Sequence, residues 1–198
     1  MKALRTGAVL LLAACAAGGV LASEPISVQQ FAAARVHAQD LADLFLEACL
    51  QSRADPQTTV AWARSRGFVP GIGTRSGREV IEAMKQRGET GHVFARGPND
   101  ESVLLIATAN PSNCVVMGLS RVDGPRLRGR MEALAGGWSG MTITPEPVYS
   151  MDYDEDVPHR ILRYTGVSGP DRYRLTVVSP LGIARGTAIM GISVEPGR

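Results

Sequence analysis

Ser139 is the residue of this chain that comes nearest to a motif for covalent catalysis. It lies in a glycine-rich segment, Gly137–Met141, which nearly matches the Gly-x-Ser-x-Gly elbow of serine hydrolases. The second glycine, Gly140, comes one position too early. The elbow also needs a strand before the serine and a helix after it, whereas the pattern here predicts the reverse order. We therefore interpret this segment as a glycine-rich loop and do not expect Ser139 to be a nucleophile.

Metal-binding chemistry has equally weak support in the sequence. The histidines are far apart, and none has a second histidine or a cysteine at the spacing of a local metal site: His37, His92 and His159. The acidic segment Asp152–Asp156 resembles the start of a calcium loop, but Val157-Pro158 replace its glycine turn and Arg163 occupies its twelfth position. We expect no bound metal ion, and we interpret the acidic segment as a solvated loop between strands.

A second glycine-rich segment, Gly71–Gly77, reads Gly-x-Gly-x-x-x-Gly, one residue away from the dinucleotide-binding pattern. The pattern predicts a helix before it rather than a strand, and no phosphate-binding lysine follows. We therefore expect no nucleotide cofactor, and we interpret the glycines as the turn before a helix.

Three arginines in the C-terminal third are candidates for binding an anion: Arg163, Arg172 and Arg174. A hairpin closed by the loop Gly166–Asp171, in a symmetric register, places Tyr164 opposite Tyr173 on one face and Arg163 opposite Arg174 on the other. Like charges directly opposite each other are unfavourable. They need nearby acids, which Asp152–Asp156 could supply, or an anionic ligand such as a lipid head group or an acidic envelope polymer.

The elements that would position these residues follow from hydrophobic periodicity. A capping box at Ser27 begins a helix that runs to about Ser52, and Asp55-Pro56 begins a second helix. A third helix precedes Gly88, and strand patterns then alternate with one further helix over 125–135. Strands so close in sequence must pair mostly antiparallel. The prediction is an α+β fold: an antiparallel sheet of about six or seven strands, with the N-terminal helices and the further helix packed on one face.

Cys49 and Cys114 are expected to form a disulfide. Cys49 lies on the apolar face of the first helix, with Leu41 and Phe45, and Cys114 begins a strand. An even pair of cysteines in an exported chain favours a bridge. Two buried, unpaired thiols are the alternative.

Residues 1–22 have the plan of a secretion signal. Lys2 and Arg5 form a basic start, an apolar run follows, and Val20 and Ala22, at positions −3 and −1, fit a cut after Ala22. The apolar run is short for a membrane span and glycines interrupt it. Residues 23–198 are then expected to form a single domain, since this length suits one hydrophobic core.

A second maturation route competes with that cut. Leu12–Cys15 resembles the lipobox of bacterial lipoproteins, in which the cysteine is acylated and becomes the first residue. Acylation at Cys15 would anchor the domain to a membrane, with the outer membrane favoured because Ala16 is not an inner-membrane retention residue. The sequence favours the conventional cut slightly and leaves both routes open.

The charge balance argues against a nucleic-acid partner. The whole chain has 21 basic and 19 acidic side chains, and Lys2 and Arg5 leave with the signal. The remainder therefore carries 19 of each sign, whereas nucleic-acid-binding domains have a strong basic excess.

The segment Phe45–Cys114 resembles a class of small exported proteobacterial proteins of uncharacterised function, some of them lipoprotein-like. The resemblance rests on an inward cysteine in a helix, the run Asp55-Pro56…Val60-Ala61-Trp62…Gly67-Phe68-Val69-Pro70, and a second cysteine in a strand. It implies a location in the cell envelope and carries no catalytic residue. We expect a non-catalytic binding domain, with an envelope protein or an anionic ligand as its partner. A hydrolase whose site assembles only in the fold, and a lipid-anchored structural component, are the alternatives.

Overall fold

The computed structural model describes residues 26–97, 102–137, 141–146, 149–154, 157–185 and 187–195. The predicted signal segment with Cys15, Ser139, and Glu155-Asp156 lie outside these ranges. The helices are α1 Val28–Phe45, α2 Pro56–Ser65, α3 Arg75–Gln86 and α4 Gly124–Gly137. The strands are β1 Val69–Pro70, β2 Thr90–Arg96, β3 Val103–Asn110, β4 Ser112–Gly118, β5 Val122–Asp123, β6 Thr142–Pro145, β7 Tyr149–Asp154, β8 Val157–Ser168, β9 Asp171–Pro180, β10 Ile183–Ala184 and β11 Ala188–Glu195. None of the helices in the described part of the chain is long and apolar enough to cross a membrane.

Helix α1 begins at the predicted capping box. The Gln30 N–H donates to Ser27 Oγ, and Gln30 Oε1 accepts from the Ser27 N–H, both at 3.1 Å. After Phe45 the helix widens into a π-helical turn, Leu46–Leu50, which ends just before the predicted boundary at Ser52. The apolar face predicted from the sequence is buried, Cys49 included.

Helix α2 is tied to the end of α1 by a buried group of hydroxyls. Asp55 caps α2 by accepting from the Thr58 N–H at 2.7 Å. Ser52 Oγ donates to the Ala48 carbonyl at 2.7 Å and lies 2.9 Å from Thr59 Oγ1. Gly67 ends α2 with a φ of 73°, a left-handed conformation in which glycine avoids the usual steric cost.

The sheet confirms the α+β class and its antiparallel pairing. Nine strands pair in the order β1-β2-β3-β4-β11-β9-β8-β6, with β7 also paired to β8, and β5 and β10 form a separate two-stranded ladder. The count exceeds the predicted six or seven because two-residue strands such as β1 carry no periodicity. The prediction of a loop at Asp152–Asp156 is also wrong in part, since Asp152–Asp154 belong to β7, which pairs with the start of β8.

Helices cover both faces of the sheet, which corrects the prediction of a single covered face. Helices α1, α2 and α4 share the main core with Phe94, Leu105 and Val116. Helix α3 instead packs through Met84 against Val93 and Ile106. Side chains alternate between faces along a strand, so Val93 and Phe94 point to opposite sides of β2. We call the face that carries Val93 the outer face.

The predicted disulfide is confirmed. Cys49, in the π-helical turn, is bonded to Cys114 of β4, 65 residues along the chain. Both cysteines are fully buried in the main core. The bond therefore joins the end of α1 to the centre of the sheet.

The hairpin of β8 and β9 has the predicted faces and a different register. Tyr164 and Tyr173 are both buried, as expected for one face, but Tyr164 is opposite Leu175, and Gly166 is opposite Tyr173. The pairing is shifted by two residues because the strands continue to Ser168 and Asp171 and leave only Gly169 and Pro170 in the turn. A shift of two preserves the face of every side chain but changes each partner.

Candidate functional site

The most unusual charge arrangement in the described residues lies at the end of the two-stranded ladder. Ile183 pairs with Asp123, and Ala184 pairs with Val122. An arginine flanks each strand at this end of the ladder: Arg121 precedes β5, and Arg185 follows β10. Continuing the antiparallel register by one residue would bring these two arginines next to each other, and both line the same cleft. Such a pair is destabilising unless an anion or solvent compensates it.

These two arginines border a cleft of about 670 Å³ beside α1, which we call the α1 cleft. Helix α1 supplies one wall, and the ends of β2 and β4, the start of β3 and the β5–β10 ladder supply the rest. Its lining residues are Gln30, Ala33, Ala34, His37, Asp40, Arg96, Gly97, Ser102, Val103, Leu119, Ser120, Arg121 and Arg185. The volume falls in the range of small-molecule sites.

The α1 cleft has an excess of positive charge. Among the described lining residues, three are arginines, Arg96, Arg121 and Arg185, and one, Asp40, carries a carboxylate. The Arg96 guanidinium lies over the Phe68 ring, 4.8 Å from its centroid, a contact that holds the cation without neutralising it. Within the described ranges, no carboxylate lies at ion-pair distance from Arg121 or Arg185.

The acid nearest in sequence to these arginines, Asp123, already has other partners. Its Oδ1 accepts from the Arg126 N–H at 3.0 Å, at the start of α4. Its Oδ2 lies 3.9 Å from Arg35 Nε. The carboxylate is buried, and it interacts with the start of α4 and with Arg35 of α1 rather than with the arginines of the cleft. Asp123 therefore does not compensate the positive charge of the described lining residues.

His37 lies in the inner part of the α1 cleft. Its Nε2 is buried and has no hydrogen-bond partner in the described part of the chain. The nitrogen lies against Gly118, where an added Cβ would come within 3.2 Å of it and within 2.4 Å of Leu41 Cδ1. Burial lowers the pKa of His37 below its ordinary 6.5, and the Asp40 carboxylate partly opposes that shift. His37 is consequently neutral at pH 7 in the empty cleft.

The three arginines predicted from the sequence lie on the outer face of β8 and β9, away from the α1 cleft. In the observed register Arg163 is opposite Thr176, and Arg174 is opposite Thr165. Arg174 donates to Glu195 Oε1 of β11 at 2.7 Å. Arg172 is directly opposite Glu195 in the same pair of strands. Their role in binding an anion stays a prediction.

The other residues considered from the sequence do not come together. His92 stacks on Phe94 beside an apolar groove of about 570 Å³ between α2 and the end of the β2–β3 hairpin. His159 is buried in β8. Within the described ranges no three histidine, cysteine or acidic side chains are grouped closely enough to hold a metal ion.

Sequence reasoning missed Arg96, Arg121 and Arg185. Arg121 and Arg185 each flank a strand of only two residues, too short for a periodic pattern. Arg96 ends a predicted strand, but nothing local links it to α1. A weak signal was present in the matching order of the two segments, Arg-Val-Asp and Ile-Ala-Arg, which becomes informative only once antiparallel pairing is known.

Comparison with known proteins adds no functional assignment. No protein-family model matches this chain. A search of the curated proteins also finds no significant match. What the α1 cleft could bind therefore has to follow from its own chemistry.

Proposed function

We propose that this protein is a non-catalytic binding domain of the cell envelope, exported from the cytoplasm, which holds an anionic ligand in the α1 cleft. The observation that carries the proposal is the juxtaposition of Arg121 and Arg185 in the β5–β10 ladder, without a carboxylate partner in the described residues. A positively charged concave site raises the local concentration of anions, and guanidinium groups bind carboxylates and phosphates through paired hydrogen bonds.

The disulfide supports the proposed location. Structural disulfides persist in oxidising compartments and are rare in the cytosol of most organisms. The buried Cys49–Cys114 bond is therefore consistent with a periplasmic or secreted domain, as are the signal pattern of residues 1–22 and the resemblance to exported proteins. Anchoring through an acylated Cys15 is the alternative form of the same proposal.

The mass of the protein recovered from the cell envelope distinguishes the two forms. A chain that starts at Ser23, with a mass that rises by about 2 Da on reduction, supports the released form with its disulfide. A start at Cys15 with acyl chains supports the anchored form. A chain that retains Met1 and the basic start would contradict export.

A binding role fits the cleft better than hydrolysis does. A serine hydrolase needs a serine hydroxyl within hydrogen-bond reach of a histidine. Ser102 and Ser120 line the same cleft as His37, but His37 Nε2 faces Gly118 and accepts no hydrogen bond from a described residue. We therefore propose that His37 has a structural role in the cleft and no catalytic role.

Titration calorimetry with simple anions tests the proposal. The probes are inorganic phosphate, citrate and glucuronate, added to the disulfide-bonded domain at low ionic strength. We expect at least one of them to bind with one-to-one stoichiometry, and we expect the double variant Arg121→Gln with Arg185→Gln to lose that binding. Affinity should also fall as salt is raised, because both arginines are at least partly solvated.

The matched control removes the same charge from the opposite side of the sheet. Arg75→Gln with Arg78→Gln changes two exposed arginines of α3 and should leave binding unaltered. If none of the anions binds, or if both double variants bind like the wild type, the proposed function is wrong.

The outer face remains a second candidate for anion binding, since Arg163, Arg172 and Arg174 lie there together, with Glu195 and Glu146 among the described acids of this part of the sheet. Vesicles that contain anionic lipid test it in a sedimentation assay. If Arg163→Glu with Arg174→Glu releases the protein from such vesicles, the outer face is the contact. If binding to the vesicles is unchanged, these arginines have only a structural role in the sheet.

A further inference from the structure

We infer that the α1 cleft is specific for a phosphomonoester carried on a sugar, which is to say a sugar phosphate. The inference rests on the proposed function and narrows it to one ligand class. Two properties of the lining carry it: the paired charge of Arg121 and Arg185, and the hydrogen-bonding groups that surround them.

The charge argument favours a dianion over a monoanion. Arg121 and Arg185 bring two positive charges to the same cleft, and no described acid forms an ion pair with either. A carboxylate would compensate one of these charges and leave the other. A phosphomonoester carries about −1.5 to −2 at pH 7 and has three acceptor oxygens, so it matches two guanidinium groups in both charge and geometry.

The volume argument shows that phosphate alone would not fill the site. A cleft of about 670 Å³ is of the size that encloses a drug-sized molecule. A phosphate ion beside Arg121 and Arg185 leaves most of that space to water. A ligand that carries a further group beyond its phosphate would contact the remaining lining.

The lining suits a hydroxylated carrier rather than a flat aromatic one. Gln30 and Asp40 of α1, together with Ser102 and Ser120, offer an amide, a carboxylate and two hydroxyls. Sugar hydroxyls both donate to and accept from such groups. None of the described lining residues has an aromatic ring other than the imidazole of His37, so the stacking that favours a nucleobase is poorly provided for.

Asp40 also sets the orientation of the ligand. Its carboxylate repels a phosphate group and accepts hydrogen bonds from hydroxyls, so the phosphate belongs beside Arg121 and Arg185 and the sugar beside α1. Asp40 is thus a specificity-determining residue of the cleft, which selects for the carrier and against a second anionic group.

Calorimetry with a matched set of ligands tests the inference on the disulfide-bonded domain in a phosphate-free buffer. The set contains glucose 1-phosphate, glucose 6-phosphate, glucosamine 6-phosphate, inorganic phosphate, glucuronate and glucose. We expect at least one hexose phosphate to bind roughly tenfold or more tightly than phosphate and than glucuronate, the difference that one charge-assisted hydrogen bond makes. Glucose should not bind measurably.

Variants test separately the side of the cleft expected to bind the phosphate and the side expected to bind the sugar. Arg121→Gln with Arg185→Gln should abolish binding of the hexose phosphate, while Arg75→Gln with Arg78→Gln should leave it intact. Asp40→Asn should weaken the hexose phosphate and leave inorganic phosphate unchanged or tighter, because it removes both an acceptor for hydroxyls and a repulsive charge.

Different experimental results would contradict the inference and the proposed function. If glucuronate or citrate binds as tightly as the best hexose phosphate, the inference is overturned and the anionic site stands. If inorganic phosphate alone binds as tightly as any hexose phosphate, the claim that the ligand contains a sugar is wrong and the anionic site stands. If no anion binds, both are wrong.

Discussion

Arg121 and Arg185 flank Val122 and Ala184, the last pair of the β5–β10 ladder, and both line the α1 cleft. The main-chain pairing of two very short strands thus brings two like charges to the same cleft. The nearest acid in sequence, Asp123, is held by the start of α4 and by Arg35. In the proposed function, this pair, which has no carboxylate partner among the described residues, forms the centre of the anion site.

Removal of the paired charge should stabilise the empty protein. Arg121→Gln with Arg185→Gln relieves a like-charge pair and should raise the free energy of unfolding by about 0.2–1 kcal/mol at low salt. Urea unfolding at low and high ionic strength measures it, and the gain should shrink as salt screens the wild-type repulsion. A loss of stability in the double variant would mean that both guanidinium groups have compensating partners.

Gly118 should be intolerant of a side chain because α1 lies directly on it. Gly118→Ala would push a methyl group against Leu41 and His37, and we expect a loss of about 1–3 kcal/mol together with weaker anion binding. Gly129→Ala is the matched control. Nothing lies within 4 Å of the corresponding position in α4, so that change should stabilise the helix by about 0.5–1 kcal/mol. Equal effects of the two variants would contradict the close contact of α1 with β4.

His37 should make the empty protein less stable as the pH falls. Its pKa in the folded state is lowered by burial, so the unfolded chain binds the proton more readily. The stabilisation is fully present above the ordinary pKa of 6.5 and is lost as the pH falls from there towards the lowered folded value. The groups that share the cleft with it are Asp40 and the arginines at positions 96, 121 and 185.

The variant His37→Leu isolates this effect. Stability measured between pH 7.5 and pH 5 should fall less steeply for His37→Leu than for the wild type, and proton NMR of the imidazole should report the lowered pKa directly. A titration at the ordinary value would show that His37 is solvated, and a higher value would show that the Asp40 carboxylate outweighs burial.

Reduction of the disulfide should cost much of the stability of the domain. The bond closes a loop of 65 residues, and the chain-entropy relation for such a loop predicts a loss of about 4 kcal/mol. Unfolding of the wild type with and without reductant measures this loss, and Cys49→Ala with Cys114→Ala should resemble the reduced protein in both conditions. An unchanged unfolding midpoint after complete reduction would show that packing alone holds α1 on the sheet.

Local signals allowed much of the fold to be predicted. Ser27 and Gln30 form a capping box within four residues, Asp55 and Pro56 begin α2, and the inward face of α1 places Cys49 where a strand cysteine reaches it. Each inference depended on side chains close in sequence or on a strong periodicity. The α+β class and the disulfide followed from these signals.

The parts of the fold and of the candidate site that the sequence did not predict depend on pairing between segments that are distant in the chain. The register of β8 with β9 was misjudged by two residues, because the turn Gly169-Pro170 is tighter than the sequence suggested. Helix α3 was placed on the wrong face, since its apolar stripe, which includes Met84, fits either side of a sheet. The α1 cleft could not be predicted for the same reason: Arg121 and Arg185 reach the same cleft only through a ladder of two residues per strand.

Crystals of the domain soaked with tungstate, a heavy oxyanion that mimics phosphate, test the central claim most directly. The proposal predicts an anomalous-scattering peak in the α1 cleft within hydrogen-bond distance of both Arg121 and Arg185, and no peak there in crystals of the Arg121→Gln, Arg185→Gln variant. Tungstate bound at Arg163 and Arg174 on the outer face, with the α1 cleft empty, would contradict the proposal.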